Sequence, residues 1–315
     1  MQNAECKIKK ANGQWLMANS PKTKMKQIKR YLGLVKFAHT IFAMPFALIA
    51  FTYAIKCDGG EFSWWLLVQV VLCMVFARNV AMGFNRWADR KIDAENPRTA
   101  SREIPSGQIT PRNAMIFIVV NALLFITCAA TINLLTAILA PVVLAIVMVY
   151  SLCKRFTWAA HLVLGLSLAL APASSYVAVM GFDASKGGII AIALLSLVVL
   201  TWCGGFDIIY ALQDAEFDRK RGLHSIPSRF STTTSLYISI ALHCVSVGAL
   251  VAFALCLPQG WLLWCGVGLF TAILIAEHIL VTPTRQRSIG IAFGTLNGLA
   301  SLTLAAFVIA QMLLK

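Results

Sequence analysis

Nine apolar runs, each of about 20 residues, constrain this chain more than any other feature. They fall near 34–55, 64–84, 114–132, 135–153, 159–180, 188–208, 236–257, 260–281 and 289–312. A run of that length is what a helix needs to cross a bilayer. A backbone in lipid must satisfy its own hydrogen bonds, which leaves helices or closed barrels, and unbroken apolar runs mean helices. The expected fold is therefore all-α, a polytopic membrane protein of nine transmembrane helices. Composition agrees: 13% of the residues are charged, against about 25% in a soluble domain.

The net charge of +14 suggests nucleic acid only until its placement is read. With the N-terminus inside and the helices alternating, only Lys36, Lys56, Arg78, Lys186 and Lys315 of the 27 Lys and Arg fall outside the cytoplasmic segments. The positive-inside rule then sets the N-terminus in the cytoplasm and the C-terminus outside, in a cell (inner) membrane. Residues 1–25 read as a basic, disordered cytoplasmic tail, and 26–315 as a single transmembrane domain. The first apolar run is too long for a signal-peptide core and carries no small-residue cleavage site, so no cleavage is expected. The nine cysteines form no C-x-x-C pair and mostly sit within apolar runs, where Cys acts as a small hydrophobe.

The 13 acidic residues are not scattered. Asp89, Asp93, Glu95, Glu103, Asp207, Asp214, Glu216 and Asp218 lie in two windows, each at the cytoplasmic end of an apolar run. In NRWADRKID, Asn85, Asp89 and Asp93 fall four apart and line one helical face. In DIIYALQDAEFD, Asp207, Asp214 and Asp218 step by seven and four. Asp89 to Asp214 and Asp93 to Asp218 both span 125 residues, and basic residues and a Pro-Ser follow each pair. Helices one to four and five to eight thus read as two repeats, with a ninth appended. A single i,i+4 pair of acids is ordinarily a solvated helix end. Two on one membrane face ask for a cation, because like charges so spaced destabilise a helix.

Mg2+ suits such a site, since it takes oxygen ligands and binds through a few carboxylates plus substrate phosphates. The interleaved Arg and Lys suit the phosphate oxygens. Arg78, two turns before Asn85 and well inside an apolar helix, costs about 2.5–3.5 kcal/mol on insertion scales unless it faces the bundle interior. Glu277-His278 is the charged spot of the eighth run, either paired with Arg78 or lying near its cytoplasmic end.

NRWADRKIDAENPRTASREIPSG and DIIYALQDAEFDRKRG resemble the paired motifs of the UbiA superfamily of intramembrane aromatic prenyltransferases. The resemblance extends to Arg78, to YSLCKRF at 150–156 and to the helix count, over roughly 30–313. It implies Mg2+-dependent transfer of a polyprenyl group from an allylic diphosphate to a small aromatic acid. It implies metal binding by Asn85, Asp89, Asp93, Asp214 and Asp218, the four aspartates being catalytic, with Asp207, Lys154 and Tyr210 supporting. Diphosphate contacts fall to Arg98, Arg102, Lys220 and Arg78, and the aromatic acceptor to Arg155 and Tyr150.

Within the superfamily the chain is most similar to 4-hydroxybenzoate polyprenyltransferases and to menaquinone enzymes of the futalosine route, so the reaction belongs to ubiquinone or menaquinone biosynthesis. Arg86, Ser151 and the KFAHTIFAMP segment depart from the 4-hydroxybenzoate pattern and leave the acceptor open, a naphthoate-type ring included. A transporter is the rival from another class, but transport sites usually lie at the membrane midplane on broken helices. The D-G-x-x-A-R opening of CDP-alcohol phosphotransferases is absent.

Overall fold

A computed structural model of the chain describes residues 30–31, 33–34, 42–284 and 289–315, and these are helical without a β-strand. The expected basic tail, 1–25, lies outside them, as does most of KFAHTIFAMP. Helix α1 runs Met44–Cys57, 14 mostly apolar residues. Eight further segments are long and apolar enough to cross a membrane. Their helices are α2 (Trp64–Ala88), α4 (Pro111–Ala130), α5 (Leu134–Cys153), α6 (Ala160–Met180), α7 (Lys186–Ala211), α9 (Thr232–Leu255), α10 (Trp261–Leu280) and α11 (Asn297–Leu314). Two six-residue helices, α3 (Arg90–Glu95) and α8 (Ala215–Lys220), follow α2 and α7.

Local sequence sets the helix starts. Ser63, Thr110, Ser185 and Ser231 each accept a backbone N–H of the first turn, and Asn133 with Thr136 forms a reciprocal capping box. Helix α11 is preceded by a π-helical turn, Ala292–Leu296, which departs from the uninterrupted ninth helix the hydropathy implies. The chain is a multi-pass membrane protein. Its exposed side chains include Ile116, Leu123, Leu134, Ile138, Val245 and Ile279, an outer surface fit for lipid. Phe62, Trp64, Trp65, Phe182 and Trp261, at or beside helix ends, are exposed like an interfacial aromatic belt.

Helix α6 packs on α5, α7 and α1, and α4 packs on α2 and α5. The main core gathers around Trp202, which is fully buried, with Phe46, Phe206 and Phe270 at 5.2, 5.0 and 6.1 Å between ring centroids. The Trp202 indole N–H donates to Asn297, which donates in turn to Glu277 at 3.0 Å. Glu277 is thus 1% exposed and held by Asn297. His278 meets His243 at 2.9 Å.

Helices α6 and α7 touch backbone to side at Gly165, where a Cβ would stand 2.2 Å from the Leu200 carbonyl oxygen. A carbonyl held in a helix cannot yield as a flexible side chain does. Gly165→Ala is therefore expected to cost about 1–3 kcal/mol, read as a lower melting temperature in detergent.

Candidate active site

Both acid windows interrupt their helices beside the paired aspartates. Helix α2 ends at Ala88, Asp89 caps it at φ −89° and ψ 5°, and α3 resumes at Arg90. Helix α7 ends at Ala211, passes through a 3-10 turn at Leu212–Asp214, and resumes as α8 at Ala215. The expected continuous helical stripe of Asn85, Asp89 and Asp93 is therefore turned at Asp89. Helices α3 and α8 start and end 125 residues apart, the same offset as the aspartate pairs.

The turns bring the two windows to one cavity of about 250 Å³. Asn85, Asp89, Asp93, Asp207, Asp214 and Asp218 line it, with Arg78, Arg98, Arg102, Tyr150, Lys154, Arg155 and Tyr210. Lys220 is not among its lining residues; it is exposed and pairs with Glu216 at 2.7 Å one helical turn back.

Each of the four paired aspartates is met by a different cation. Arg155 Nη2 lies 3.2 Å from Asp89, Arg102 Nη1 2.7 Å from Asp93, and Lys154 Nζ 3.3 Å from Asp218. Arg98 takes Asp214 with Nε at 2.8 Å and with Nη2 in a second bond. Its Nη1 donates to the Tyr210 hydroxyl at 2.9 Å, and its guanidinium lies 5.3 Å from the centre of that ring. Asn85 donates to Asp89 at 3.4 Å.

The cations and acids shift one another. Burial holds the Asp89 carboxyl above the ordinary range despite the hydrogen bond from Arg155. Burial alone lowers Arg98 and Lys154, but the carboxylates outweigh it and both rise: Asp214 for Arg98, and Asp218, Asp207 and Asp214 for Lys154.

Two residues that sequence reasoning did not single out tie the site together. Asn96, buried in the loop after α3, donates to Asp214 at 3.0 Å and accepts the Arg98 backbone N–H at 3.0 Å. That loop thereby crosses from the first window to the second. His161, at the start of α6, is fully buried and holds Asp207 through Nδ1 at 2.6 Å. Its only sequence signal is a lone imidazole entering an apolar helix, which ordinarily marks packing.

A second cavity, about 180 Å³ and almost wholly apolar, adjoins the first. Arg78, Met82, Tyr150, Leu164 and Leu168 line both, so the charged mouth opens directly onto an apolar chamber walled by α2, α4, α5 and α6.

The donors suit a hard divalent cation: a set of carboxylates and one amide, all oxygen, on one cavity. The Asp93 Oδ2 atom is buried without a hydrogen-bond partner. Among the described residues no three His, Cys, Asp or Glu are gathered as a ready metal cage, and the cations stand between the acids. The eight described cysteines are all free.

Known proteins share this architecture. The UbiA prenyltransferase family matches residues 43–308. The 4-hydroxybenzoate octaprenyltransferase of Salmonella paratyphi B is 30% identical over 217 residues, 69% of this chain and 71% of that protein. A UbiA homolog from Aeropyrum pernix K1, solved in its apo form, superposes with a TM-score of 0.79 at 29% identity, covering 87% of this chain and 98% of that one. A UbiA homolog from Archaeoglobus fulgidus bound to GPP and Mg2+ gives 0.68 at 19% identity over 90% and 99%, a likeness of fold.

A polar mouth of opposed acids and bases opens onto an apolar chamber inside a helical membrane bundle, the architecture of an intramembrane enzyme. The chain belongs to the UbiA prenyltransferase family, and it is a polyprenyltransferase.

Proposed function

We propose that this enzyme transfers a polyprenyl group from an allylic diphosphate to the ring of a small aromatic acid, in an Mg2+-dependent step of quinone biosynthesis. The observation that carries this is the junction of the two cavities. A diphosphate head fits the charged mouth, its isoprenoid tail fits the apolar chamber, and the carbon between them lies at Arg78 and Tyr150. The relatives' printed names favour the same chemistry: 4-hydroxybenzoate octaprenyl transfer in the Salmonella protein, and GPP with Mg2+ in the archaeal one.

Asn85, Asp89 and Asp93 would hold one Mg2+, and Asp214 and Asp218 a second. Bound Mg2+ neutralises charge on the departing diphosphate. Arg98 and Arg102, which hold Asp214 and Asp93 here, would also bind phosphate oxygens of the diphosphate. Asn96 ties the two windows together through Asp214. The apolar chamber excludes water from an allylic carbocation. Arg155 is half-exposed at the rim, and Tyr150 lies at the junction; together they orient the acceptor, Arg155 through its carboxylate.

The same reading assigns α1 as the first of nine crossings, α1–α5 and α6–α10 as two related halves containing four crossings each, and α11 as the ninth. The equal offset of α3 and α8 supports it. The mouth then faces the cytoplasm of a cell (inner) membrane, with the C-terminus outside and residues 26–315 as one domain.

The acceptor is tested on membranes from an expressing strain, with Mg2+, a prenyl diphosphate and, separately, 4-hydroxybenzoate, 1,4-dihydroxy-2-naphthoate and a 6-carboxynaphthol. One acceptor is expected to gain the mass of the prenyl group. No product from any of them contradicts the proposal.

A further inference from the structure

The geometry points to Asp207 as the base that removes the ring proton after prenylation, with His161 as the residue that positions it. This rests on the transfer reaction proposed above. Asp207 lines the cavity but stands apart from the metal-type aspartates: it lies within α7, whereas Asp214 follows the end of that helix, past the turn at Leu212–Asp214. Asp207 acts on Tyr150, which lines both the charged mouth and the apolar chamber.

The hydrogen bonds of His161 fix what Asp207 can do. The Ile226 backbone N–H donates to His161 Nε2 at 3.3 Å. A backbone N–H can only donate, so Nε2 presents its lone pair and the ring proton sits on Nδ1. That proton faces Asp207 Oδ2 at 2.6 Å. The imidazole is fully buried, with both nitrogens engaged, and so takes no part in proton transfer itself. It fixes the plane of the Asp207 carboxylate, leaving Oδ1 as the oxygen it does not hold. A Ser-His-Asp triad uses a carboxylate to orient an imidazole; here an imidazole orients a carboxylate. Lys154 and Tyr150 are the ionisable neighbours of Asp207 on the facing helix and its end.

The reaction needs such a base. As the allylic C–O bond breaks, its electron pair leaves with the diphosphate, and a ring π pair forms the new C–C bond. The ring carbon then carries both the prenyl group and a hydrogen. That hydrogen leaves as a proton to Asp207 Oδ1, and its C–H pair restores the aromatic ring. The proton departs with the diphosphate through the mouth, and Asp207 is again a carboxylate.

The test measures turnover separately with protiated and ring-deuterated forms of whichever of the three acceptors the wild-type enzyme prenylates, with Mg2+ and prenyl diphosphate. Asp207→Asn keeps an acceptor for the His161 Nδ1–H and removes the base. Its kcat is expected to fall by about 10²–10⁴-fold, with KM for the diphosphate unchanged and a primary isotope effect that the wild type lacks. Asp207→Glu, which restores the base, is expected to turn over faster than Asp207→Asn. His161→Asn is expected to lose less than Asp207→Asn and to show the same isotope effect. Wild-type turnover in Asp207→Asn, a loss without an isotope effect, or Asp207→Asn as fast as Asp207→Glu overturns the assignment. A wild-type enzyme inactive on all three acceptors instead overturns the proposed transfer reaction, and this assignment falls with it.

Discussion

Asp89→Asn and Asp214→Asn are each expected to lower kcat by roughly a thousandfold, about 4 kcal/mol of transition-state stabilisation. The change is nearly isosteric, so the packing around it stays. What goes is one unit of negative charge from a site whose proposed work is to hold a cation against a leaving diphosphate. Asp89 caps α2 and Asp214 closes the 3-10 turn after α7, equivalent places in the two windows. Removing either is expected to disable the same step. The amide still accepts from Arg155 or Arg98, so the variants are expected to reach the membrane and extract in wild-type yield. Turnover within a few-fold of wild type in either variant removes the metal assignment.

Arg98→Ala is expected to reduce kcat/KM for the diphosphate by about 10²–10³-fold, chiefly through KM. Arg98 has three roles at once. It grips Asp214 with two nitrogens, donates to Tyr210, and lies over the Tyr210 ring, which stacks on Phe293 at 4.1 Å. Truncation leaves Asp214 with Asn96 alone among its direct hydrogen bonds. Arg98→Lys keeps the charge but loses the planar fork, and is expected to recover only part of the affinity. Saturation kinetics on both variants separate the two effects. An unchanged KM in Arg98→Ala contradicts a phosphate role for this residue.

The bundle was legible because hydropathy is local. Trp64 and Ala160 open helices within one residue of where the apolar runs begin, and Cys153 and Met180 end them where the runs end. The acid windows were legible because their spacing repeats. The break at Asp89 was not, since NRWADRKID holds no Gly or Pro to mark where the helix turns. Tertiary bonds select the turn, Arg155 reaching both the Ala88 carbonyl and Asp89. The resemblance implies Lys220 as a diphosphate contact, but its place on α8 leaves it exposed and paired with Glu216. Asn96 and His161 were hidden for the opposite reason. Their partners, Asp214 and Asp207, lie 118 and 46 residues away, and neither has a motif of its own. Glu277 could be located but not paired, because its partner Asn297 lies beyond the π-helical turn, across two helices.

The measurement that bears most directly on this account is release of diphosphate and formation of prenylated acceptor, followed together in purified protein with Mg2+ and with EDTA. The account predicts equal amounts of both products with Mg2+, and neither with EDTA. Prenylated product at an undiminished rate in EDTA would contradict it.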